Sequence, residues 1–135
     1  MPITKEVLEE TSCVEALFQQ ELEKWIEGNH KVKLLILGEA PTACSKYFYG
    51  KKRGNYLSAL RKFYGVSLNE LLQTLRNKGI MAIEIYQYAL PSEVYKNDKS
   101  NVLYDPVFLG KRITELKNLG LIDESTKVVY RYQNL

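Results

Sequence analysis

Residues 32–38, Val-Lys-Leu-Leu-Ile-Leu-Gly, carry the reading of the fold. A near-continuous apolar run of this length, closed by a glycine, suits a strand buried on both faces of a parallel sheet. Upstream, Val14, Leu17, Phe18, Leu22, Trp25 and Ile26 recur at spacings of three and four. They predict an amphipathic helix over residues 4–27 that packs on the sheet and stops at Gly28-Asn29.

Downstream, Gly38, Pro41, Gly50 and Gly54 mark a loop. Tyr56, Leu57, Leu60, Phe63 and Tyr64 then return at helical spacing and end at Gly65. Ser67 with Glu70 three residues on predicts a capping box before the apolar face Leu68, Leu71, Leu72 and Leu75. Residues 80–86 (IMAIEIY) read as a second strand. Residues 87–105 have turn chemistry and a length that suggests function. Asp105-Pro106 opens a helix marked by Phe108, Leu109, Ile113, Leu116 and Leu119, and residues 127–132 (KVVYRY) read as a third strand.

The order α-β-α-α-β-α-β implies an α/β fold: three layers, a parallel sheet of about three strands with helices on both faces. At 135 residues the chain has the size of one domain, residues 1–135. Three strands are few for this architecture, and the third has nothing after it to cover its edge. A partner chain pairing there, further chain, or a trimmed version of a larger fold would each complete the sheet.

Composition narrows the function classes. No apolar run reaches the roughly 18 residues of a membrane span, so no membrane partner is expected. The acidic, amphipathic N-terminus is unlike a secretory signal, and two cysteines, Cys13 and Cys44, make no disulfide framework. A reducing, cytoplasmic setting is expected. One histidine, His30, argues against a Cys/His zinc site; no metal and no cofactor is expected. The net charge of +3 is small, but residues 46–62 hold six basic residues and no acidic one. Lys46, Lys51, Lys52 and Arg53 in that patch could contact phosphate, or form a solvated loop. Cys44 beside Lys46 suggests a nucleophile only if a base stands near it, and no histidine is close in sequence.

In open parallel sheets ligands sit beyond the carboxyl ends of the strands, which is where residues 38–55 begin. There Gly38-Glu39-Ala40-Pro41 resembles the first active-site motif of the uracil-DNA glycosylase superfamily. Ser45, Phe48-Tyr49 and Asn55-Tyr56-Leu57 extend the likeness toward its mismatch-specific and hypoxanthine-excising branches. A long N-terminal helix before a doubly wound parallel sheet also fits that family. The resemblance covers the chain from about Val32 onward.

That resemblance implies a base-excision hydrolase acting on a damaged or mismatched base in DNA. Such an enzyme extrudes a base, stacks it on an aromatic ring and reads its edge. The backbone of Gly38, Ala40, Pro41 and Thr42 would face the base, Tyr49 would stack on it, and Asn55 would contact it. Glu39 would orient water or contact the base. Asn101, in Asp98-Lys99-Ser100-Asn101, is similar to a catalytic asparagine of the hypoxanthine-excising branch. Plainer readings stand beside these: Glu39 as a surface carboxylate, Asn101 as a turn residue, Asn55 as a helix cap.

The family's later motif, on a loop after a fourth strand, has no counterpart, Thr42 replaces a smaller residue, and His30 lies at the wrong end of the sheet. The alternative reading is therefore a catalytically inactive nucleotide- or partner-binding module of the same fold. The tyrosine-rich stretches 47–56 and 86–95 could stack bases or line a partner interface.

Overall fold

The structure is a computed structural model that describes residues 4–38, 44–50, 55–86, 88–89 and 106–130; at 46, 55 and 56 it describes the backbone alone. Among the described residues, four α-helices and three strands follow the expected order: α1 (Lys5–Glu27), β1 (Leu34–Gly38), α2 (Asn55–Tyr64), α3 (Leu68–Lys78), β2 (Ile80–Glu84), α4 (Pro106–Asn118) and β3 (Lys127–Tyr130). A short 3-10 turn, Cys44–Lys46, follows β1.

Both strand pairings are parallel, and the order across the sheet is β2-β1-β3. Leu34 stands opposite both Ile80 and Lys127, and Gly38 opposite Glu84. The chain leaves central β1 to one side through α2 and α3, then returns over the sheet through α4 to the other side. Opposite crossovers place helices on opposite faces. Leu35, Leu37, Met81 and Ile83 join Phe18, Leu22 and Trp25 of α1 and Leu116 of α4 in the larger core. On the other face Leu57, Leu71 and Leu75 of α2 and α3 gather with Phe48, with Ile80 and Ala82 packed against them. The sheet is thus an apolar layer between two helical layers, the three-layer parallel α/β arrangement expected.

Local signals act largely as their chemistry predicts. Thr4 caps α1 by accepting from the Val7 amide at 3.1 Å, and Asn29, not Gly28, takes the left-handed φ of 54° that ends it. Gly79 (φ 76°) ends α3 where a Cβ would sit 2.8 Å from the Lys31 carbonyl oxygen, so a side chain there is excluded twice over. The Ser67 capping box forms only in part. The Ser67 hydroxyl donates to the Glu70 carboxylate at 2.8 Å and makes no bond to a helix amide, because the carboxylate has claimed it.

Three residues of the expected apolar faces lie outside the core. Ile26 is half exposed, Leu119 is exposed, and Phe63 is 79% exposed, its ring edge-on to Tyr64. Ile26 and Phe63 are the penultimate residues of α1 and α2, and Leu119 follows the last residue of α4. Conversely Glu21 and Arg76, polar by sequence, are buried. Arg76 Nε donates to Glu21 Oε2 at 2.8 Å, and the Trp25 indole donates to the same oxygen at 2.8 Å. This pair joins α1 on one face to α3 on the other, so it passes around the outer edge of β2. Tyr49 stands beside it, its hydroxyl accepting the Ala82 amide of β2 at 2.8 Å.

Candidate functional site

Gly38 closes β1 at the carboxyl end of the sheet, and its carbonyl accepts the Ile85 amide at 3.1 Å. Beside it, the last residue of β2 is Glu84. A Cβ added at Gly38 would lie 3.3 Å from Glu84 Oε2 and 3.8 Å from the Ile83 carbonyl oxygen. The glycine therefore lets a carboxylate lie directly over the end of the central strand. A larger residue would push it away.

A cavity of about 30 Å³ opens next to this carboxylate, between α1, α4 and the end of β2. That is room for a water or two. Thr11, Glu15, Tyr47, Glu84, Tyr86 and Arg112 are among its walls. Its electrostatics are set by two helices. Arg112 of α4 pairs with Glu15 of α1 and with Glu115 at 2.7 Å. Its guanidinium also lies 4.2 Å from the centroid of the Phe18 ring. Burial pushes the Glu15 carboxyl up, but the hydrogen bonds and charge of Arg112, with a bond from Gln19, outweigh it and hold it below its ordinary range. Burial pulls Arg112 down, and its two glutamates more than restore it. Burial, then the neighbouring Tyr49 and Glu84, raises the Tyr47 hydroxyl far above its ordinary range. Tyr47 thus presents a neutral hydroxyl at any working pH.

The residues expected at this site fare differently. Gly38 lies where a strand-end ligand site requires it. Tyr49, partly buried, packs against both core clusters: its ring is edge-on to Tyr47 and Phe48, at 5.8 and 4.9 Å between centroids. Burial first, then the charge of Glu21, raises its hydroxyl far above the ordinary range. The ring that the structure brings to the cavity beside Glu84 is Tyr47, not Tyr49. Asn55 is the first residue of α2, and Lys46 ends the 3-10 turn. Glu39, Ala40, Pro41, Thr42, Lys51, Lys52, Arg53 and Asn101 lie outside the described residues. His30 precedes β1, at the amino end of the sheet, its ring 5.9 Å from that of Trp25.

The cysteines correct the sequence reading. Cys13 of α1 and Cys44 of the 3-10 turn form a disulfide, with Cα atoms 5.8 Å apart. Cys44 therefore offers no thiol nucleophile, and the pair does make a covalent link. Their separation of 31 residues carried no pairing signal. Only the return of the chain from the strand end to the flank of α1 brings them together.

Glu84 was hidden in its own strand pattern. The available signal was the one acid in the otherwise apolar run 80–86, toward the end where a strand delivers its side chain to the ligand end of the sheet. Glu15 and Arg112 carried no such signal, since both fall on helical faces that read as polar.

Compared with known proteins, the chain matches no family model, no curated protein and no solved structure. No helix among the described residues is long and apolar enough to cross a membrane.

Proposed function

We propose that this chain is a cytoplasmic, uracil-DNA glycosylase-like domain that takes a nucleobase at the carboxyl ends of β1 and β2. The observation that carries the reading is the Glu84 carboxylate lying over Gly38, at the start of the Gly-Glu-Ala-Pro motif. A carboxylate accepts the N–H donors along a base edge, and Tyr47 and Tyr86 offer aromatic walls beside it. In this reading Glu39 and Asn101 orient the attacking water, and Lys46, Lys51, Lys52 and Arg53 hold the DNA phosphates. The long N-terminal helix and the doubly wound parallel sheet support it. The cavity, at about 30 Å³, is smaller than a base, so admitting one requires its walls to part.

The test is excision from single- and double-stranded oligonucleotides carrying uracil or hypoxanthine, read as strand cleavage after alkali. Product that is lost in Glu39→Ala and in Asn101→Ala supports the hydrolase. If no substrate yields product, the hydrolase reading fails. Binding that weakens steeply with salt would then leave a nucleic-acid-binding module of the same site.

A second reading has its own observation. In β3 all four residues are exposed, with Val128, Val129 and Tyr130 at 51, 43 and 60%. An apolar edge strand of this kind is a template for pairing with another chain. Light scattering decides it: a stable oligomer supports pairing, and a strict monomer at high concentration removes it.

A further inference from the structure

We propose that the Cys13–Cys44 disulfide is a reversible redox clasp that fixes the Tyr47 wall of the cavity at the strand ends. The inference does not depend on what the cavity binds. Three observations place the bond where such a clasp has to be. It joins the exposed flank of α1 to the 3-10 turn that follows the strand end. The same turn is also held to α1 from its first residue, the Cys44 amide donating to Glu10 Oε2 at 2.7 Å. And the Cys44 carbonyl accepts the Tyr47 amide at 3.1 Å, so the residue that carries the sulfur also positions the cavity wall.

The two cysteines are unequal in access. Cys13 is exposed, whereas Cys44 is 9% exposed. An external thiolate therefore attacks Cys13 Sγ, forming a mixed disulfide there and expelling Cys44 as the thiolate, which takes up a proton. A second external thiol attacks the mixed disulfide, releasing the oxidised external disulfide and the Cys13 thiol. Two external thiols are oxidised and one protein disulfide is reduced, so electrons and protons balance. A thiol pool of the kind found in a reducing compartment supplies the reductant, and its oxidised form resets the clasp.

Reduction is expected to loosen the turn and not the fold. Beyond Tyr47 the segment is anchored independently, by the buried ring of Phe48 and by the Tyr49 hydroxyl on the Ala82 amide. The loosening should therefore concentrate at Cys44 and reach the Tyr47 amide, while the β2 edge stays closed.

The experiment uses the full chain equilibrated in oxidised or reduced dithiothreitol, with thiols counted by alkylation and amide exchange followed by residue. The expected result is no alkylated cysteine in the oxidised sample and both in the reduced one. On reduction, Cys44 and Tyr47 amides should exchange faster by at least about threefold, with Ala82 unchanged. Limiting glutathione should leave its adduct on Cys13. Cys13→Ser should show the reduced exchange pattern in both buffers. Free thiols in the oxidised sample, or a smaller change at Cys44 and Tyr47, would overturn the clasp. Acceleration at Ala82 to the same degree would make the bond a staple of the whole fold and overturn it equally.

Discussion

Along β2 the outer edge of the sheet is closed by side chains from three distant parts of the chain, whereas β3 carries an edge exposed on all four residues. At β2, Tyr49 takes the Ala82 amide, and the Glu21–Arg76 pair ties the helices of the two faces together around it. At β3, Val128, Val129 and Tyr130 stay accessible. An open edge invites pairing with other chains, and closing it with buried polar groups demands that every one of them be satisfied. The β2 edge meets that demand: the Glu21 carboxylate accepts from both Trp25 and Arg76. Among the described residues the two flanking strands thus differ: β2 is tied to the fold by side chains along its edge, and β3 exposes all four of its residues.

The contrast is broken most strongly at the ion pair. Arg76→Ala leaves Glu21 as a buried charge without its cation, and should cost about 3–5 kcal/mol in urea unfolding. Replacing both partners by apolar residues should cost much less, because neither charge is then stranded. A single variant that loses under about 1 kcal/mol would show that water reaches the pair.

Tyr49→Phe keeps the ring and removes the acceptor of the Ala82 amide. The expected loss is about 1–3 kcal/mol, the cost of a buried donor left unmade. Amide exchange at Ala82 should rise in the same variant.

Smaller still is the contribution of Glu15 with Arg112, which is partly exposed. Because the folded state holds the Glu15 carboxyl below its ordinary value of 4.5, the pair's contribution is complete above that pH. It is lost as pH falls through the depressed folded value. The stability difference between wild type and Arg112→Leu should therefore narrow on acidification below about 4.5. A difference that stays constant down to acid unfolding would mean the pair is not ionic.

Least of all is expected at the open edge. Val129→Thr should change stability by no more than about 0.5 kcal/mol, since its side chain is already in solvent. Val129→Lys should do the same to stability while abolishing any association through β3. A loss of several kcal/mol in either variant would mean that the edge is covered in solution.

Much of the fold was legible because it rests on short-range pattern. The run at 32–38 and the run at 80–86 became β1 and β2, and three- and four-residue spacings became α1 to α4. The failures occur where burial depends on distant neighbours. Phe63 and Ile26 fit their helical faces by spacing, yet both are exposed. Glu21 and Arg76 look like solvated charges in any local window, and their burial exists only because two helices meet around β2. Cys13 and Cys44 are paired by the path of the chain, not by their spacing. At the site, the glycine was readable from its place after an apolar strand. Its carboxylate neighbour was not, because the Gly38–Glu84 register belongs to the sheet. The resemblance cast Tyr49 as the ring that stacks on a base, whereas its hydroxyl accepts the Ala82 amide at the β2 edge.

The strand-end site is tested most directly by backbone NMR shifts during titration with a uracil-containing single-stranded oligonucleotide. Perturbation is predicted to centre on Gly38, Tyr47 and Glu84, and to vanish in Glu84→Ala while the shifts of the β2 edge at Ala82 stay in place. Shifts confined to other surfaces, or unchanged binding in Glu84→Ala, would contradict a base-binding carboxylate at the end of the central strand.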